Sequence, residues 1–425
     1  MNNQRLELVA DFYEYTMANG YFNKNMEDRI AYFDVFFRKV PDEGGYAIVA
    51  GLEQIINYIR NLSFDEEDIS YLRKQNKFSE EFLNYLENFR FTGDIWAIPE
   101  GTVVFPNEPL ITVKAPIIQA QLLETMLLLT TNHQSLIATK TSRIVREAQG
   151  RPVMEFGARR AHGINAAVEG ARAAIIGGAV GTSCTLSAKE FNVPASGTMA
   201  HSWIQSFDSE YEAFKAYAEL YPDDCTFLID TYNTIESGLP NAIKVFNEVL
   251  KTKGYRPKAV RLDSGDLAYL SKKVRKILDE AGYEDCKICA TNSLDEYLIK
   301  SLIEQDAKID LFGVGENLIT AKSEPVFGGV YKLVALEKDK KIVPKIKVSE
   351  NTAKVTNPSF KKVYRFYDNE TKKAIADVIT LADEIIDERE YMIFDPQNPW
   401  KKKVLKDYSI RLLQEKIFEE RKINI

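Results

Sequence analysis

The stretch Ser-Gly-Thr-Met-Ala-His-Ser-Trp at residues 196–203 holds one of only three histidines in the chain. An imidazole works near neutral pH as a base or as a nucleophile toward phosphorus. A histidine alone is more often structural, so its company matters. In Ala-Val-Arg-Leu-Asp-Ser-Gly-Asp (259–266), strand alternation puts Arg261 and Asp263 on one face and Val260 and Leu262 on the other. A guanidinium and a carboxylate can then face the same ligand. Ser264-Gly265-Asp266 opens a helix whose free N–H groups favour a phosphate. Phosphate alone would be repelled by the aspartates, so a ribose whose hydroxyls donate to them, or a bridging Mg²⁺, fits better. The plainer alternative is an Arg261–Asp263 ion pair with Asp266 as a helix cap. Glu-Phe-Gly-Ala-Arg-Arg-Ala-His-Gly (155–163) adds Arg159 and Arg160, either of which can neutralise a polyphosphate or serve as a surface ion pair. Phe-Gly-Val-Gly (312–315) offers unobstructed backbone amides, a weak signal by itself. His133 and His162 lack such company. No Walker A sequence, no Gly-x-Gly-x-x-Gly opening a dinucleotide fold and no His-Glu-x-x-His occurs.

These residues need elements that bring them to one place. From Pro152 to about residue 333 the chain reads as alternating strands and helices, with strands at 153–156, 178–183, 195–200, 226–229, 259–262, 287–290 and 310–313. Repeated βα units predict a parallel sheet, and about seven of them an irregular, TIM-like βα barrel. In such a barrel the loops after the strands converge on one rim. That rim would carry Glu155 to Arg160, Thr198 to Ser202, Asp230-Thr231, Asp263 to Asp266, Thr291 to Ser293 and Gly313 to Gly315.

Residues 1–115 read as an α+β N-terminal domain, with amphipathic helices in Leu-Glu-Leu-Val-Ala-Asp-Phe-Tyr (6–13 onward) and Gly51–Leu62, then short β segments over 93–116. Residues 116–333 form the expected barrel domain, opening with a helical stretch over 117–149 that breaks near Thr130-Thr131-Asn132. The segment 334–425 reads as antiparallel, with a hairpin turning at Asp368-Asn369-Glu370, and is expected to pack on the N-terminal domain.

Composition narrows the class. With 45% hydrophobic residues and a net charge of −7, the chain reads as globular and poorly suited to nucleic acid, while small anionic ligands stay possible. The first residues carry acidic groups and no uninterrupted apolar core, so no signal or transit peptide is expected, and no run approaches membrane-spanning length. Four cysteines without a secretory signal point to a reducing, cytoplasmic setting, and Cys286-x-x-Cys289 reads as structural.

Taken together, Asp-Phe-Tyr-Glu-Tyr-Thr-Met (11–17), Phe-Asp-Val-Phe-Phe-Arg-Lys-Val-Pro (33–41), Glu155–Gly163, Ser196–Trp203, Val260–Leu267 and Phe312–Leu333 resemble the nicotinate phosphoribosyltransferases, a likeness that runs from Asp11 to the 347–365 stretch. The resemblance implies conversion of nicotinate and 5-phosphoribosyl 1-pyrophosphate to nicotinate mononucleotide and pyrophosphate, coupled to ATP hydrolysis. It also implies Mg²⁺, ATP as co-substrate, and a homodimer with shared active sites. By the same resemblance His201 would be phosphorylated by ATP and Asp230 would orient it. Asp263 would hold ribose or Mg²⁺, whose ligands are otherwise unassigned. Thr198 and Tyr13 would contact nicotinate, Tyr13 from the partner subunit, with Phe156 as an aromatic wall. Arg261 would bind an anionic group of the substrates, Arg38 and Arg159 phosphates, and Ser264 would stand with them at the site. Asn292, Gly313 and Gly315 would lie at the 5′-phosphate. One departure stands out: family members often have Gly-Thr after Gly-x-Gly, where this chain has Glu316-Asn317. Three other readings remain open from the residues: a nicotinamide-specific transferase, a sugar-phosphate lyase or aldolase, and a non-catalytic nucleotide sensor.

Overall fold

The computed structural model describes residues 6–348, 350, 355–387, 389–396 and 398–419. Of the 347–365 stretch, residues 349 and 351–354 therefore lie outside the described residues, as do residues 1–5 of the start. The chain divides into two compact units, one comprising 1–135 and 326–425, the other 136–325.

In the first unit an antiparallel sheet is built from distant parts of the chain. Strand Ile30–Phe37 pairs on one side with Gly329–Lys338 and on the other with Ile111–Pro116, and Asp94–Ala97 pairs in turn with Glu415–Phe418. Strand Gly329–Lys338 crosses the boundary expected at residue 333, because Tyr331, Val334 and Ala335, on either side of that boundary, are buried in this sheet. The hairpin expected after residue 360 forms as Lys361–Asp368 against Ala374–Leu381. Helix Leu52–Asn61 lies where periodicity placed it, whereas the first helix begins only at Phe12, and Val9, Tyr13 and Met17 of the expected apolar spacing are exposed.

Residues 124–147 form one helix, and the break falls instead at Leu122-Leu123 after the short helix Ile117–Gln121. Thr130 and Thr131 are buried. Their β-branched side chains cost a helix only about 0.5 kcal/mol each, which packing outweighs.

In the second unit the parallel sheet has the order Gly181–Thr182, Val153–Glu155, Leu311–Val314, Lys287–Ala290, Ala259–Leu262, Thr226–Leu228. Six of the seven expected strands are thus present. Of the 195–200 strand only one bridge survives, Ala195 to Thr182. The described strands therefore make an open half-barrel rather than a closed barrel. The physical reason lies in the Ser-Gly-Thr-Met-Ala segment. The Ser196 N–H still donates to Thr182 O (2.8 Å); past it the Arg261 guanidinium donates to Thr198 Oγ1 and Met199 O, and among the described residues the ladder does not continue.

Behind the sheet Phe227 is fully buried between Phe214 (ring centroids 4.6 Å apart) and Phe246 (5.4 Å). Cys286 and Cys289 are buried and unbridged, with burial pushing each thiol up to about 12, so the pair behaves as apolar filler. Among the described residues no helix is long and apolar enough to cross a membrane.

Truncating Phe227 to Ala is expected to cost about 3–5 kcal/mol, because the cavity left between two rings cannot collapse. Chemical denaturation followed by fluorescence of the Trp203 region should show the loss, and an unchanged midpoint would contradict this packing.

Candidate active site

Strand ends determine what the open edge of the half-barrel presents. A cavity of about 300 Å³ lies there, lined entirely by residues of the second unit: Phe156, Arg159, Arg160, Thr198, Met199, His201, Arg261, Asp263, Thr291, Asn292, Ser293, Gly313, Gly315 and Glu316 among them.

Arg261 organises it. Its Nε donates to Thr291 Oγ1 (2.9 Å), Nη1 to Thr198 Oγ1 (2.9 Å) and Met199 O (3.4 Å), and Nη2 to Asp263 Oδ1 (2.8 Å). A guanidinium has five N–H donors, so one hydrogen on Nη2 is left for a ligand. Thr291 in turn donates to Asp263 Oδ1. Burial alone would push the Asp263 carboxyl up, but hydrogen bonds from Thr291 and Arg261, with the charges of Arg261 and His201, carry it below the usual carboxylate range. Because the folded value is depressed, the stability this carboxylate confers is present above the ordinary aspartate pKa and lost as pH falls through the folded one.

His201 begins the short helix His201–Gln205, and Trp203 anchors that helix by donating from Nε1 to Ala213 O (3.1 Å) while packing on Phe207 and Tyr217. The tryptophan two positions on therefore fixes where the imidazole stands. Nδ1 lies 3.0 Å from Thr231 Oγ1, and Nε2 lies 3.6 Å from Asp263 Oδ2.

Asp230, expected to orient the histidine, is engaged elsewhere. Its Oδ2 accepts from the Asp263 backbone N–H (2.8 Å) and from the Ser264 hydroxyl (2.6 Å), while Oδ1 is buried with no partner among the described residues. The strand end buries this side chain beneath the 263–264 turn, so the neighbouring Thr231 meets the imidazole. Ser264 is absent from the cavity lining for the same reason. Asp266 caps the helix Leu267–Glu280 by accepting from the Tyr269 N–H (3.0 Å), which is the plainer of its two readings.

Phe156 forms one wall. A Cβ at Gly313 would come within 2.6 Å of its ring, so only glycine lets that ring lie against the neighbouring strand. Beneath it Glu155 accepts from the Thr182 hydroxyl (2.6 Å) and from the Gly157 N–H. Burial pushes the Glu155 carboxyl up, opposed by those hydrogen bonds.

Asn292 and Ser293 hold left-handed backbone angles (φ 80° and 52°), a strained turn for serine. The buried Asn317 side chain pins it by donating to Ser293 O (2.8 Å) and Leu294 O (3.2 Å), and Asp295 caps the helix Glu296–Glu304 that follows.

Tyr13 and Arg38 belong to the first unit and are not part of this lining. Tyr13 stands 44% exposed on helix Phe12–Phe22, and partial desolvation of its hydroxyl, with the charge of and hydrogen bond to Glu124, raises its pKa. Arg38 Nε is buried with no hydrogen-bond partner among the described residues.

The comparisons with known proteins agree in kind. The model of the nicotinate phosphoribosyltransferase N-terminal domain matches residues 8–132, that of the family 152–380 and that of the C-terminal domain 360–424. The chain belongs to the nicotinate phosphoribosyltransferase family. It is 46% identical over 416 residues to the nicotinate phosphoribosyltransferase of Bacillus subtilis, covering 98% of this chain and 84% of that one. The human enzyme of that name is 30% identical, over 89% of this chain and 80% of its own. The crystal structure of human nicotinic acid phosphoribosyltransferase superposes with a TM-score of 0.85 at 26% identity, covering 97% and 89% of the two chains. The chain is thus an enzyme of pyridine nucleotide synthesis.

Their strand ends place Thr231 and Thr291 on the rim but give them no role, and Asn317 stands out in the sequence only as part of the departure after Gly-x-Gly. The role of Asn317 depends on a turn distant along the chain. Thr291→Val removes an acceptor from Arg261 and a donor to Asp263. Hydrogen bonds to charged groups contribute about 1.5–3 kcal/mol to stability, so the melting temperature should fall, and product formation at a temperature where the variant stays folded should fall roughly 10-fold or more. Steady-state kinetics beside a thermal melt checks this, and activity within twofold would remove Thr291 from the network's working parts.

Proposed function

We propose that the cavity binds 5-phosphoribosyl 1-pyrophosphate and nicotinate and joins the pyridine nitrogen to C1′ of the ribose, releasing pyrophosphate, in the cytoplasm. The observation that carries this is the convergence of Arg261, Asp263 and His201 with Phe156 at one polar cavity. An aromatic wall suits the pyridine ring. Asp263 suits ribose hydroxyls, and the Asn292, Gly313 and Gly315 backbone, with Arg159, suits phosphate. Among the described residues no lysine lines the cavity, which disfavours a Schiff-base aldolase.

In the transfer, the C1′–O bond to pyrophosphate breaks with its electron pair leaving on oxygen, and the pyridine lone pair forms the new N–C1′ bond. Charge develops on the ribose and on the leaving group, so fixed cations positioned beforehand lower the barrier. Arg261 is held by four hydrogen bonds before any ligand arrives and needs no reorganisation.

Mg²⁺ fits these residues in one manner. Among the described residues no group of three or more candidate ligands exists. Asp263 Oδ2, left over from the Arg261 and Thr291 contacts, is a hard oxygen ligand suited to an ion that takes its other ligands from substrate phosphates and water. Bound there, such an ion would neutralise the departing pyrophosphate.

ATP coupling through His201 belongs to the same proposal. An imidazole nitrogen attacks the γ-phosphorus, the N–P bond forms, ADP leaves with the P–O electron pair, and water later returns the phosphoryl group as phosphate. Thr231 Oγ1 and Asp263 Oδ2 face the two ring nitrogens and would hold the imidazole for that attack. A homodimer with shared sites accounts for Tyr13 and Arg38. The helix bearing Tyr13 also exposes Phe12 and Met17, apolar surface that a second copy would cover.

The purified protein with 5-phosphoribosyl 1-pyrophosphate, Mg²⁺ and either nicotinate or nicotinamide, with and without ATP, tests the reading. Nicotinate mononucleotide from nicotinate, accelerated by ATP, is expected. His201→Ala is expected to abolish the ATP stimulation while leaving slow uncoupled transfer. Undiminished stimulation in that variant would overturn the role of His201, and no mononucleotide from either base would overturn the reaction.

A further inference from the structure

Glu316 is a carboxylate of the cavity wall that, unlike Asp263, has no part in the ligand chemistry above. It follows Gly315 directly and lines the cavity beside Arg159, Arg160, Asn292 and Ser293. Its Oε1 accepts from Lys322 Nζ (2.9 Å), and its Oε2 lies 3.9 Å from Arg160 Nε. These contacts hold its carboxyl below the ordinary value, chiefly through the Lys322 hydrogen bond, so it is charged throughout the working range.

We propose that Glu316 is an affinity-limiting residue for the 5′-phosphate: its carboxylate occupies Lys322 and Arg160 and repels the phosphate, weakening the hold on phosphoribosyl substrate and mononucleotide product alike. The inference rests on the phosphoribosyl reading of the cavity. Two effects compete at this position. Holding two cations at the rim would favour binding. Both pairs are solvent-exposed, however, with Arg160 63% and Lys322 65% accessible, and exposed ion pairs organise little. Repulsion is the larger effect. Two unit charges about 6 Å apart in water change an equilibrium roughly threefold, and a phosphate dianion doubles the exponent before salt screening reduces it. Repulsion therefore wins over positioning, and removing the charge tightens binding. Such a residue favours turnover over retention, because the product carries the same phosphate as the substrate.

Binding of ribose 5-phosphate to the intact protein, measured by calorimetry at low and high ionic strength, tests this. Glu316→Gln should bind about threefold to tenfold more tightly than the unaltered protein at low salt, with the advantage shrinking as salt rises. Glu316→Asp keeps the charge and should stay within twofold of the unaltered protein. Equal or weaker binding by Glu316→Gln would overturn the proposal and make Glu316 a holder of Arg160 and Lys322. Tightening in Glu316→Asp equal to that in Glu316→Gln would also overturn it, since charge would not be the cause. If ribose 5-phosphate binds neither the unaltered protein nor Glu316→Gln, the phosphate reading of the cavity itself falls, a result distinct from the other two.

Discussion

Everything in the cavity depends on one guanidinium. Arg261 projects from the strand Ala259–Leu262 and joins the end of the next strand, through Thr291, to the Thr198-Met199 segment and to Asp263 just past its own strand. It is mostly buried, and its side chain spans the place where the sheet has no further ladder. A buried cation with fewer partners would be costly, whereas one with four hydrogen bonds and an adjacent carboxylate is both stable and fixed in direction. The same bonds fix Asp263, and Asp263 stands beside His201, so the charged groups of the site form one connected set.

Around that set the backbone is arranged to leave room. Gly313 admits the Phe156 ring, Asn317 holds the left-handed turn at Asn292 and Ser293, and Trp203 ties the histidine's helix to the helix Glu210–Leu220. None of these residues carries out chemistry in the proposed reaction. Each removes a freedom that a side chain of the cavity would otherwise have, which is how a fold lowers the cost of reaching a productive geometry. The open half-barrel suits this arrangement, because an edge closed by side-chain hydrogen bonds can carry ligand groups that a backbone ladder would consume.

Much of this was legible beforehand. The short apolar strands with polar residues at their ends announced a parallel sheet with a rim, and Arg261 and Asp263 could be put on one face by alternation alone. Helix existence was equally legible from apolar spacing. The long helix Glu124–Glu147 was misjudged at Thr130-Thr131, since local propensity is weak and burial overrides it. The strand at 195–200 was misjudged for a related reason: whether an extended segment joins a ladder depends on what lies beside it.

The amino-acid sequence by itself determined the family, the parallel order of elements and the identity of the charged residues at the strand ends, because periodicity and motif are local properties of a chain. Only the tertiary structure decided which of those residues meet. It set Asp230 under the 263–264 turn and gave the imidazole to Thr231 and Asp263, turned Ser264 and Asp266 into supports of a turn and a helix, and placed Glu316 among the cations of the rim. Contacts of this kind join residues tens of positions apart, and their geometry follows from packing that no local pattern encodes.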